Sequence, residues 1–330
     1  MSSSKGILSR KVAVVIPAYR VKAHILQVID AIGPEVDLIY VVDDKCPDST
    51  ADYVEKNCID NRVIVVRNDK NLGVGGAVKA GYLRAMTEDA EIIVKLDGDG
   101  QMNPDMIPKL IEPLLLQYAD YSKGNRFNNV EDIKKMPKVR IFGNLALSFL
   151  SKFSTGYWRV FDPTNGFTAI TRDALSEIPL SKISNRYFFE SDMLFRLNIA
   201  RCRVSDVAMP AIYGSEKSNL KITRTILEFP VKHLRNFLKR IFYTYYLRDF
   251  SITSIELPVG ITLAIYGLIS SIIVWNQADK TNFPTPTGTL LLISISILAS
   301  LQLLLNCLNY DIQNSSSLCV DSKSIPKHRA

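Results

Sequence analysis

The sequence predicts an α/β domain with a mostly parallel sheet, followed by two carboxy-terminal transmembrane helices. Three observations lead to this prediction. In roughly the first two thirds of the 330 residues, short apolar runs alternate with amphipathic stretches. Beyond residue 250 lie two apolar segments of 21 residues each. The hydrophobic fraction, 47%, is sufficient for a sizeable core.

Four apolar runs predict buried strands of a parallel sheet. They are Val12 to Ile16, Leu38 to Val42, Val63 to Val66 and Glu91 to Leu96. Amphipathic stretches predict helices that cover both faces of the sheet, near residues 23–32, 48–58, 74–87 and 104–117. Ligands of such sheets bind at the carboxyl ends of the strands. The candidate site residues are therefore those that follow each apolar run.

The two late segments predict membrane spans. Ile255 to Trp275 carries one charge, Glu256, at its edge, and Gly288 to Leu308 carries none. At about 1.5 Å per residue, each segment is roughly as long as the hydrocarbon core of a bilayer is thick. Buried helices of a soluble protein are the alternative, but such helices usually carry a polar stripe. Basic residues before the first span and in the tail place both chain ends in the cytoplasm, in a multi-pass plasma-membrane protein.

The residues between the α/β domain and the first span predict interfacial helices. Basic residues such as Arg235, Lys239 and Arg240 alternate there with phenylalanine and tyrosine, a composition typical of helices on anionic lipid. A nucleic-acid surface is the alternative, and the neighbouring spans favour lipid. The predicted divisions are an α/β domain at 1–220, interfacial helices at 221–250, two spans at 251–310 and a cytoplasmic tail at 311–330.

Composition restricts the chemistry. The net charge of +7 suits phosphate groups, anionic lipid or nucleic acid without choosing among them. The five cysteines are scattered and form no CxxC pair, which predicts neither a disulfide framework nor a zinc site. With three histidines in the chain, a metal site would be built from carboxylate oxygens, which favours Mg²⁺ or Mn²⁺. The amino-terminal apolar run is short and interrupted by Pro17, so we expect no signal peptide.

Polar residues follow the first three apolar runs. Pro17 and Tyr19 close the first run, and the acidic pair Asp43-Asp44 closes the second. Acids at a strand end can bind the donor groups of a base or ribose, a solvated turn being the alternative. The third run leads to a glycine-rich turn that includes Asn71 and Gly73. Backbone amides of such a turn can approach phosphate, although its spacing fits neither common glycine-rich nucleotide motif.

The fourth run carries the strongest signal. It delivers Asp97 and Asp99 at positions i and i+2, where strand periodicity puts both carboxylates on one side. Gly98 between them leaves room for a ligand beside the backbone. This pattern predicts a hard-cation site for a diphosphate, where a divalent ion neutralises the charge on a nucleotide leaving group. A hairpin turn is the alternative, but Pro104 begins a helix instead of a returning strand.

Six motifs in order give the chain a family resemblance. They are VVIPAY at 14–19, VVDDKCPDST at 41–50, NLGVGGAVKAGY at 71–82, LDGDGQ at 96–101, GNRF at 124–127 and DPTNGFTAI at 162–170. Together they resemble family 2 glycosyltransferases of the GT-A fold, a Rossmann-like architecture. The resemblance is specifically to polyprenyl-phosphate glycosyltransferases related to dolichol-phosphate mannose synthase. It covers about residues 11–220, and the two carboxy-terminal spans add to it.

The resemblance implies roles for individual residues. It implies nucleoside contacts for Pro17, Tyr19 and Asp44. It implies that Asp97, Asp99 and Gln101 surround the metal and that Arg126 faces the phosphates. Two departures stand out: Arg20-Val21 replaces the acidic contact that usually follows the first motif, and Lys217 is the candidate substitute for a basic clamp found in some relatives.

Three further acids are candidates for the acceptor end. In relatives that act on sugar hydroxyls, a carboxylate near Glu190 or Asp192 resembles the general base. A phosphate acceptor is already a dianion near neutral pH and needs no strong base. Glu190 or Asp192 would then bind hydroxyls of the donor sugar or lie on a plain helix surface. Asp162 is the third candidate.

The resemblance and the residues together predict an enzyme. We expect an inverting transferase that moves a sugar from a nucleotide donor onto polyprenyl phosphate at the cytoplasmic leaflet, for cell-envelope glycan or glycosylation pathways. UDP-hexose or UDP-N-acetylhexosamine is the first expected donor and GDP-mannose the second. The alternatives are a transferase that extends a glycan and a non-catalytic membrane subunit. Expected partners are the donor, the acceptor, membrane lipid and a second copy through the spans, without nucleic acid.

Overall fold

The computed structural model describes residues 10–127, 138–210, 222–281 and 283–321. The chain divides into two compact units. The first contains residues 1–237 and 317–330, and the second contains residues 238–316. The first unit therefore holds the predicted α/β domain, and the second holds the two long apolar segments.

The first unit is built on an eight-stranded sheet of order β3-β2-β1-β4-β6-β5-β7-β8. The strands are β1 (Val12–Ala18), β2 (Leu38–Asp43), β3 (Val63–Arg67), β4 (Ile92–Lys95), β5 (Tyr121–Asn125), β6 (Thr168–Thr171), β7 (Val204–Ala208) and β8 (Cys319–Asp321). Strands β3, β2, β1 and β4 pair in parallel, as do β5, β7 and β8. Strand β6 is antiparallel to both β4 and β5. The predicted mostly parallel sheet is confirmed.

Helices cover the sheet and continue beyond it. They are α1 (Ile25–Asp30), α2 (Thr50–Asn57), α3 (Val74–Thr87), α4 (Ile107–Leu115), α5 (Lys138–Thr155), α6 (Arg172–Ser176), α7 (Phe189–Ile199), α8 (Ile222–Phe242), α9 (Ile252–Thr281) and α10 (Thr287–Asn314). The first four match the predicted amphipathic stretches. A short 3₁₀ turn at Pro104–Met106 precedes α4, so the helix predicted from Pro104 begins with tighter geometry.

Two hydrophobic cores flank the sheet, one on each face. Alternate residues of a strand point to opposite faces. In β1, Ala13 and Val15 therefore join one core, and Val12, Val14 and Ile16 join the other. Because both faces are covered, β1 and all of β2 except its last residue are apolar without interruption, which is the pattern expected of a buried parallel sheet.

The chain returns to the sheet after the long helices. Strand β8 lies at the edge of the sheet, where Val204 pairs with Cys319 and Asp206 with Asp321. Part of the segment predicted as a tail, 311–330, thus forms a strand. The chain leaves the first unit after residue 237 and re-enters it at residue 317.

The long helices of the second unit are candidate membrane spans by length and composition. Helices α9 and α10 contain 30 and 28 residues, more than the 21 predicted for each. At about 1.5 Å per residue they extend roughly 40 to 45 Å, which includes the head-group regions of a bilayer. Most of their large apolar side chains are exposed, as lipid-facing side chains would be.

Small residues form the seam between these two helices. A Cβ atom added to Gly267 would lie 2.6 Å from Ile297 Cγ1, and one added to Gly260 would lie 3.2 Å from Leu303 Cβ. Ser300 Oγ donates a hydrogen bond of 2.8 Å to the Gly260 carbonyl. Glycine and serine let helix backbones approach closely, which is how helices pack in lipid.

A buried ion pair joins the start of the second unit to the end of α10. Arg240 Nη1 and Nη2 donate to Asp311 Oδ1 and Oδ2 at 2.6 and 2.9 Å, and Tyr245 Oη donates to Asp311 Oδ1 at 2.5 Å. Arg240 is 2% exposed. The sequence grouped Arg240 with basic residues that face lipid, and its burial shows that this grouping is wrong for Arg240.

We expect Asp311→Asn to lower the free energy of unfolding by about 3 to 5 kcal/mol, because it leaves a buried guanidinium without this counter-charge. Thermal unfolding of the detergent-solubilised chain measures the effect. Arg235→Gln is the matched control, since Arg235 is exposed and lies on the same helix as Arg240. An unchanged midpoint for Asp311→Asn would show that the pair does not stabilise the unit.

Candidate active site

The candidate site lies at the carboxyl-terminal edge of the parallel strands. Strand β1 has β2 on one side and β4 on the other, so the chain connections diverge and leave a crevice there. Tyr19 follows β1 and is 40% exposed, Pro17 lies on β1 in register with Val42, and Asp43 ends β2. The turn at residues 96–101 follows β4. The topology therefore brings the predicted strand-end residues to one edge.

Asp44 holds the glycine-rich turn in place. Its Oδ1 accepts hydrogen bonds from Leu72 N at 2.8 Å and from Asn68 Nδ2 at 3.0 Å, and its Oδ2 accepts one from Gly73 N at 2.6 Å. Asp44 is 1% exposed, whereas Asn71 is exposed just before the bonded amides. Resemblance implied a nucleoside contact for Asp44, and the structure places its carboxylate on the backbone of this turn.

Asp43, the other acid of the pair, also bonds to the backbone. Its Oδ1 accepts a hydrogen bond of 2.8 Å from Cys46 N. Both Asp43 and Asp44 are buried. The alternative of a solvated turn is therefore wrong for this pair.

The glycines of the turn allow another loop to pack against it. Gly73 has φ +84°, and a Cβ atom on it would lie 2.9 Å from the Asn185 carbonyl oxygen. A Cβ atom on Gly75 would lie 2.5 Å from the Ser184 carbonyl oxygen. Gly76 N already donates to Asn185 O at 2.9 Å. These glycines make room for the segment before α7. The sequence pattern had instead suggested that they let backbone amides approach phosphate.

The two carboxylates of the strongest motif lie on a turn, not on a strand. Strand β4 ends two residues before Asp97, so strand alternation, which the sequence predicted, does not align Asp97 with Asp99. Asp99 Oδ1 accepts a hydrogen bond of 3.0 Å from Gln101 N, which shapes the turn. A Cβ atom on Gly98 would lie 3.0 Å from Ile25 Cδ1. Gly98 therefore makes room for α1 instead of a ligand.

Arg126 is oriented by Asp162. Arg126 Nε donates to Asp162 Oδ2 at 2.8 Å and Nη2 donates to Oδ1 at 3.1 Å, a bidentate pair. The Asp162 side chain is 1% exposed and that of Arg126 is 29% exposed. Asp162, predicted as a candidate at the acceptor end, is thus engaged in fixing the arginine predicted to face phosphate. Lys217 lies outside the described residues.

The structure separates Glu190 from Asp192, which the sequence left as equal candidates. Both lie in the first turn of α7. Glu190 Oε1 is 3.2 Å from Lys95 Nζ. Asp192 Oδ2 accepts hydrogen bonds from Ser184 N and Oγ at 2.9 and 3.1 Å, and its Oδ1 accepts one from Asn236 Nδ2 at 3.2 Å. Glu190 thus belongs to the charged strand ends, and Asp192 connects α7 to neighbouring segments.

The sequence pattern did not identify two buried lysines that lie near the site. Lys95, the last residue of β4, places Nζ 3.0 Å from Asp97 Oδ1. Lys123 on β5 is fully buried, and its Nζ donates to the Asn165 carbonyl. Burial lowers the pKa of Lys123 to about 8. For Lys95 the available signal was a basic residue at the end of an apolar run, whereas the strand that contains Lys123, YSKGN, has no apolar pattern.

A polar cleft of about 120 Å³ lies beside these residues. Its charged and polar lining consists of Asp97, Asp99, Gln101, Asn103, Arg126, Thr164 and Asn165. Its apolar lining includes Met102, Met106, Phe167 and Met209. Carboxylates and a guanidinium thus share one cleft, an arrangement that can hold a cation and a phosphate next to each other.

Known proteins resemble this chain in sequence. The Glycosyl transferase family 2 model matches residues 13–179. The chain is 30% identical over 231 residues to a UDP-N-acetylglucosamine–dolichyl-phosphate N-acetylglucosaminyltransferase of Methanococcus voltae, across 66% of this chain and 91% of that protein. It is 32% identical over 165 residues to an undecaprenyl-phosphate mannosyltransferase of Micrococcus luteus, across 49% of this chain and 66% of that protein.

A solved structure shares the fold. The glucosyl-3-phosphoglycerate synthase of Mycobacterium tuberculosis, in complex with Mn²⁺, UDP and glucosyl-3-phosphoglycerate, superposes with a TM-score of 0.53 at 21% identity. The match covers 72% of this chain and 81% of that one. The sheet and the family match define a glycosyltransferase of the GT-A fold. The chain belongs to glycosyl transferase family 2, which confirms the predicted resemblance and the predicted enzyme class.

We expect Asp44→Asn to destabilise the first unit by about 1 to 3 kcal/mol, because an amide nitrogen would replace an oxygen that accepts from a backbone amide. Thermal unfolding of the full chain measures this loss. Asp69→Asn is the matched control, since Asp69 is exposed in the same connecting segment. Equal midpoints for the two variants would contradict the role of Asp44 in holding the turn.

Proposed function

We propose that this glycosyltransferase moves a sugar from a nucleotide donor onto polyprenyl phosphate at the cytoplasmic leaflet. The observation that carries the proposal is the cleft in which Asp97 and Asp99 lie with Arg126 at the carboxyl ends of the parallel strands. Carboxylates suit a cation bound to diphosphate, and a guanidinium suits a phosphate oxygen. The relatives from Methanococcus voltae and Micrococcus luteus are named for polyprenyl-phosphate acceptors, which supports the same acceptor class here.

The residues of the cleft fit Mg²⁺ or Mn²⁺. Asp97, Asp99 and Gln101 supply the hard oxygen atoms that either ion prefers. Within the described ranges, no three His, Cys, Asp or Glu side chains cluster as a complete site. Such an ion usually keeps several waters and binds substrate phosphates in addition to one or two carboxylates. When bound, it would neutralise negative charge that develops on the diphosphate leaving group.

The candidate acids are already ion-paired or hydrogen-bonded, which favours a phosphate acceptor over a sugar hydroxyl. Attack by a hydroxyl requires a general base, but Asp162 is paired with Arg126 and Glu190 with Lys95. Asp192 accepts hydrogen bonds from Ser184 and from the amide of an asparagine on α8. A lipid phosphate is already a dianion near neutral pH and attacks the anomeric carbon without proton removal. The new bond to the phosphate oxygen forms as the bond from the anomeric carbon to the nucleoside diphosphate breaks, and a single displacement of this kind inverts the anomeric configuration.

The described part of α8 is suited to the membrane surface. Val231, Leu234, Leu238 and Phe242 recur at intervals of three or four residues and are exposed by 55 to 67%. Such an apolar stripe can insert among lipid head groups. Arg235, exposed on the same helix, adds the positive charge that favours anionic lipid.

UDP-N-acetylhexosamine is the first donor that we propose. The relative from Methanococcus voltae that carries this donor in its name aligns over 91% of its length. The mannosyltransferase from Micrococcus luteus aligns over 66% of its length, and GDP-mannose is the second donor that we propose. Association of two or more such chains through α9 and α10 is a prediction from the sequence.

A product assay tests the function. The detergent-solubilised chain is incubated with polyprenyl phosphate, Mn²⁺ and UDP-N-acetylglucosamine, UDP-glucose or GDP-mannose, and lipid-linked sugar is measured. We expect product from UDP-N-acetylglucosamine and a loss of at least about 100-fold in Asp99→Asn, the scale of losing a charge-stabilising group. Asp30→Asn, an exposed acid on α1, is the control. Wild-type turnover by Asp99→Asn in the presence of EDTA would contradict the proposal.

The orientation has a separate test. We expect Thr281→Cys to be labelled by a membrane-impermeant thiol reagent in intact cells and Ser316→Cys to be protected, because the positive-inside rule places the loop between the spans outside. The background is a variant in which the five native cysteines are replaced. The reverse labelling pattern would put the cleft on the side of the membrane opposite to the proposed one.

A further inference from the structure

Lys95 occupies an unusual position between two acids of the site. Its side chain is 1% exposed, and its Nζ lies 3.0 Å from Asp97 Oδ1 and 3.2 Å from Glu190 Oε1. The Asp97 side chain is 29% exposed and that of Glu190 is 12% exposed. A buried ammonium is costly unless it is paired with good geometry. Lys95 Nζ therefore lies between the two carboxylates, donating a hydrogen bond to Glu190 and lying within ion-pair distance of Asp97.

The surroundings leave this contact little freedom. A Cβ atom on Gly166 would lie 2.3 Å from Lys95 Nζ and 2.9 Å from Asp97 Oδ2. The two oxygens of Asp97 thus have different neighbours: Oδ1 contacts the lysine, and Oδ2 lies beside the Gly166 backbone, which lines the cleft. Lys95 Nζ thus ion-pairs with one Asp97 oxygen, and the same glycine borders both the ammonium and the other oxygen.

We propose that Lys95 is a positioning residue that orients Asp97 toward the donor and its cation, with Glu190 on α7 as the second anchor of the ammonium. This role rests on the proposed function, because it concerns the cation and diphosphate site of that reaction. Groups behind a metal ligand commonly fix its orientation, and their loss weakens metal binding.

The competing explanation is that Lys95 only neutralises two nearby acids. The two explanations predict opposite signs. A positive charge close to a cation site repels the cation, so removing a lysine that acts by charge alone would tighten cation binding. Removing a lysine that orients Asp97 would weaken it.

The test is a matched pair of full-length variants, Glu190→Gln and Glu190→Gln with Lys95→Met. Both lack the Glu190 charge, so the second variant buries no carboxylate from α7 without a partner. They differ only at Lys95. The Kd of Mn²⁺ in the presence of UDP is measured by electron paramagnetic resonance, and thermal unfolding is measured in parallel.

We expect Mn²⁺ to bind at least about ten times more weakly to the double variant than to Glu190→Gln, in line with the loss of an outer-shell partner. Thermal midpoints of the pair should remain close, which separates positioning from folding. Equal or tighter Mn²⁺ binding by the double variant would overturn the role of Lys95. A weaker affinity that parallels a large fall in the thermal midpoint would also overturn it, in favour of a structural role.

The wild-type protein separates this inference from the function on which it rests. Wild-type chain that binds no Mn²⁺ in the presence of UDP would overturn the proposed function, and the role of Lys95 with it. Wild-type binding combined with unchanged binding in the double variant would overturn the role of Lys95 alone. Lys95→Arg adds a conservative comparison, because it keeps the charge but changes the geometry, and positioning predicts weakened binding there too.

Discussion

Two buried ammonium groups on neighbouring parts of the sheet impose the constraint on which the site depends. Lys95 and Lys123 lie on strands β4 and β5 with almost no exposure, and burial alone would make each charge costly. The nearby acids compensate: Asp97 and Glu190 contact Lys95, and Asp162 and Asp206 are among those that act electrostatically on Lys123. Acids from a turn, a loop, a helix and a strand therefore converge on one edge of the sheet, where the cleft has formed. The strand order sets β4 and β5 on either side of β6, where Lys95 and Lys123 both pair with Thr168.

Helix α7 extends this charged edge into the rest of the first unit. Glu190 in its first turn contacts Lys95, and Asp192 two residues later bonds to Ser184 and Asn236. The segment that contains Ser184 also packs on the glycine-rich turn, since Gly76 N donates to the residue that follows Ser184. One short helix thus connects the cleft, the turn held by Asp44 and the helix that leads toward the apolar spans. Glu190 and Asp192, which the sequence left as equal candidates, therefore make different contacts in the fold.

As candidate membrane spans, the long helices would follow a different physical rule. In water, α/β strands are stabilised by burying apolar surface, whereas helices in lipid gain little from that and depend on close packing. Gly260, Gly267 and Ser300 provide that close packing at the seam of α9 and α10. The ion pair of Arg240 with Asp311 is buried within the same unit. The chain then re-enters the sheet as β8, which gives the parallel strand β7 a neighbour on its outer side.

The local sequence pattern was sufficient to predict features that depend on residues close together in the sequence. It predicted the first four strands, the first four helices, the two long apolar helices and the position of Asp97 and Asp99 after β4, because apolar periodicity and turn residues act over a few positions. It did not reveal β8, since three residues carry no periodic signal, and it grouped Arg240 with lipid-facing residues because composition does not show which face of a helix is covered. The partners of Asp44, Asp162, Glu190 and Lys95 were decided only by the tertiary structure. A carboxylate becomes a metal ligand, an anchor for a backbone turn or a counter-charge according to what distant segments bring within about 3 Å of it, a distance over which hydrogen bonds and ion pairs act.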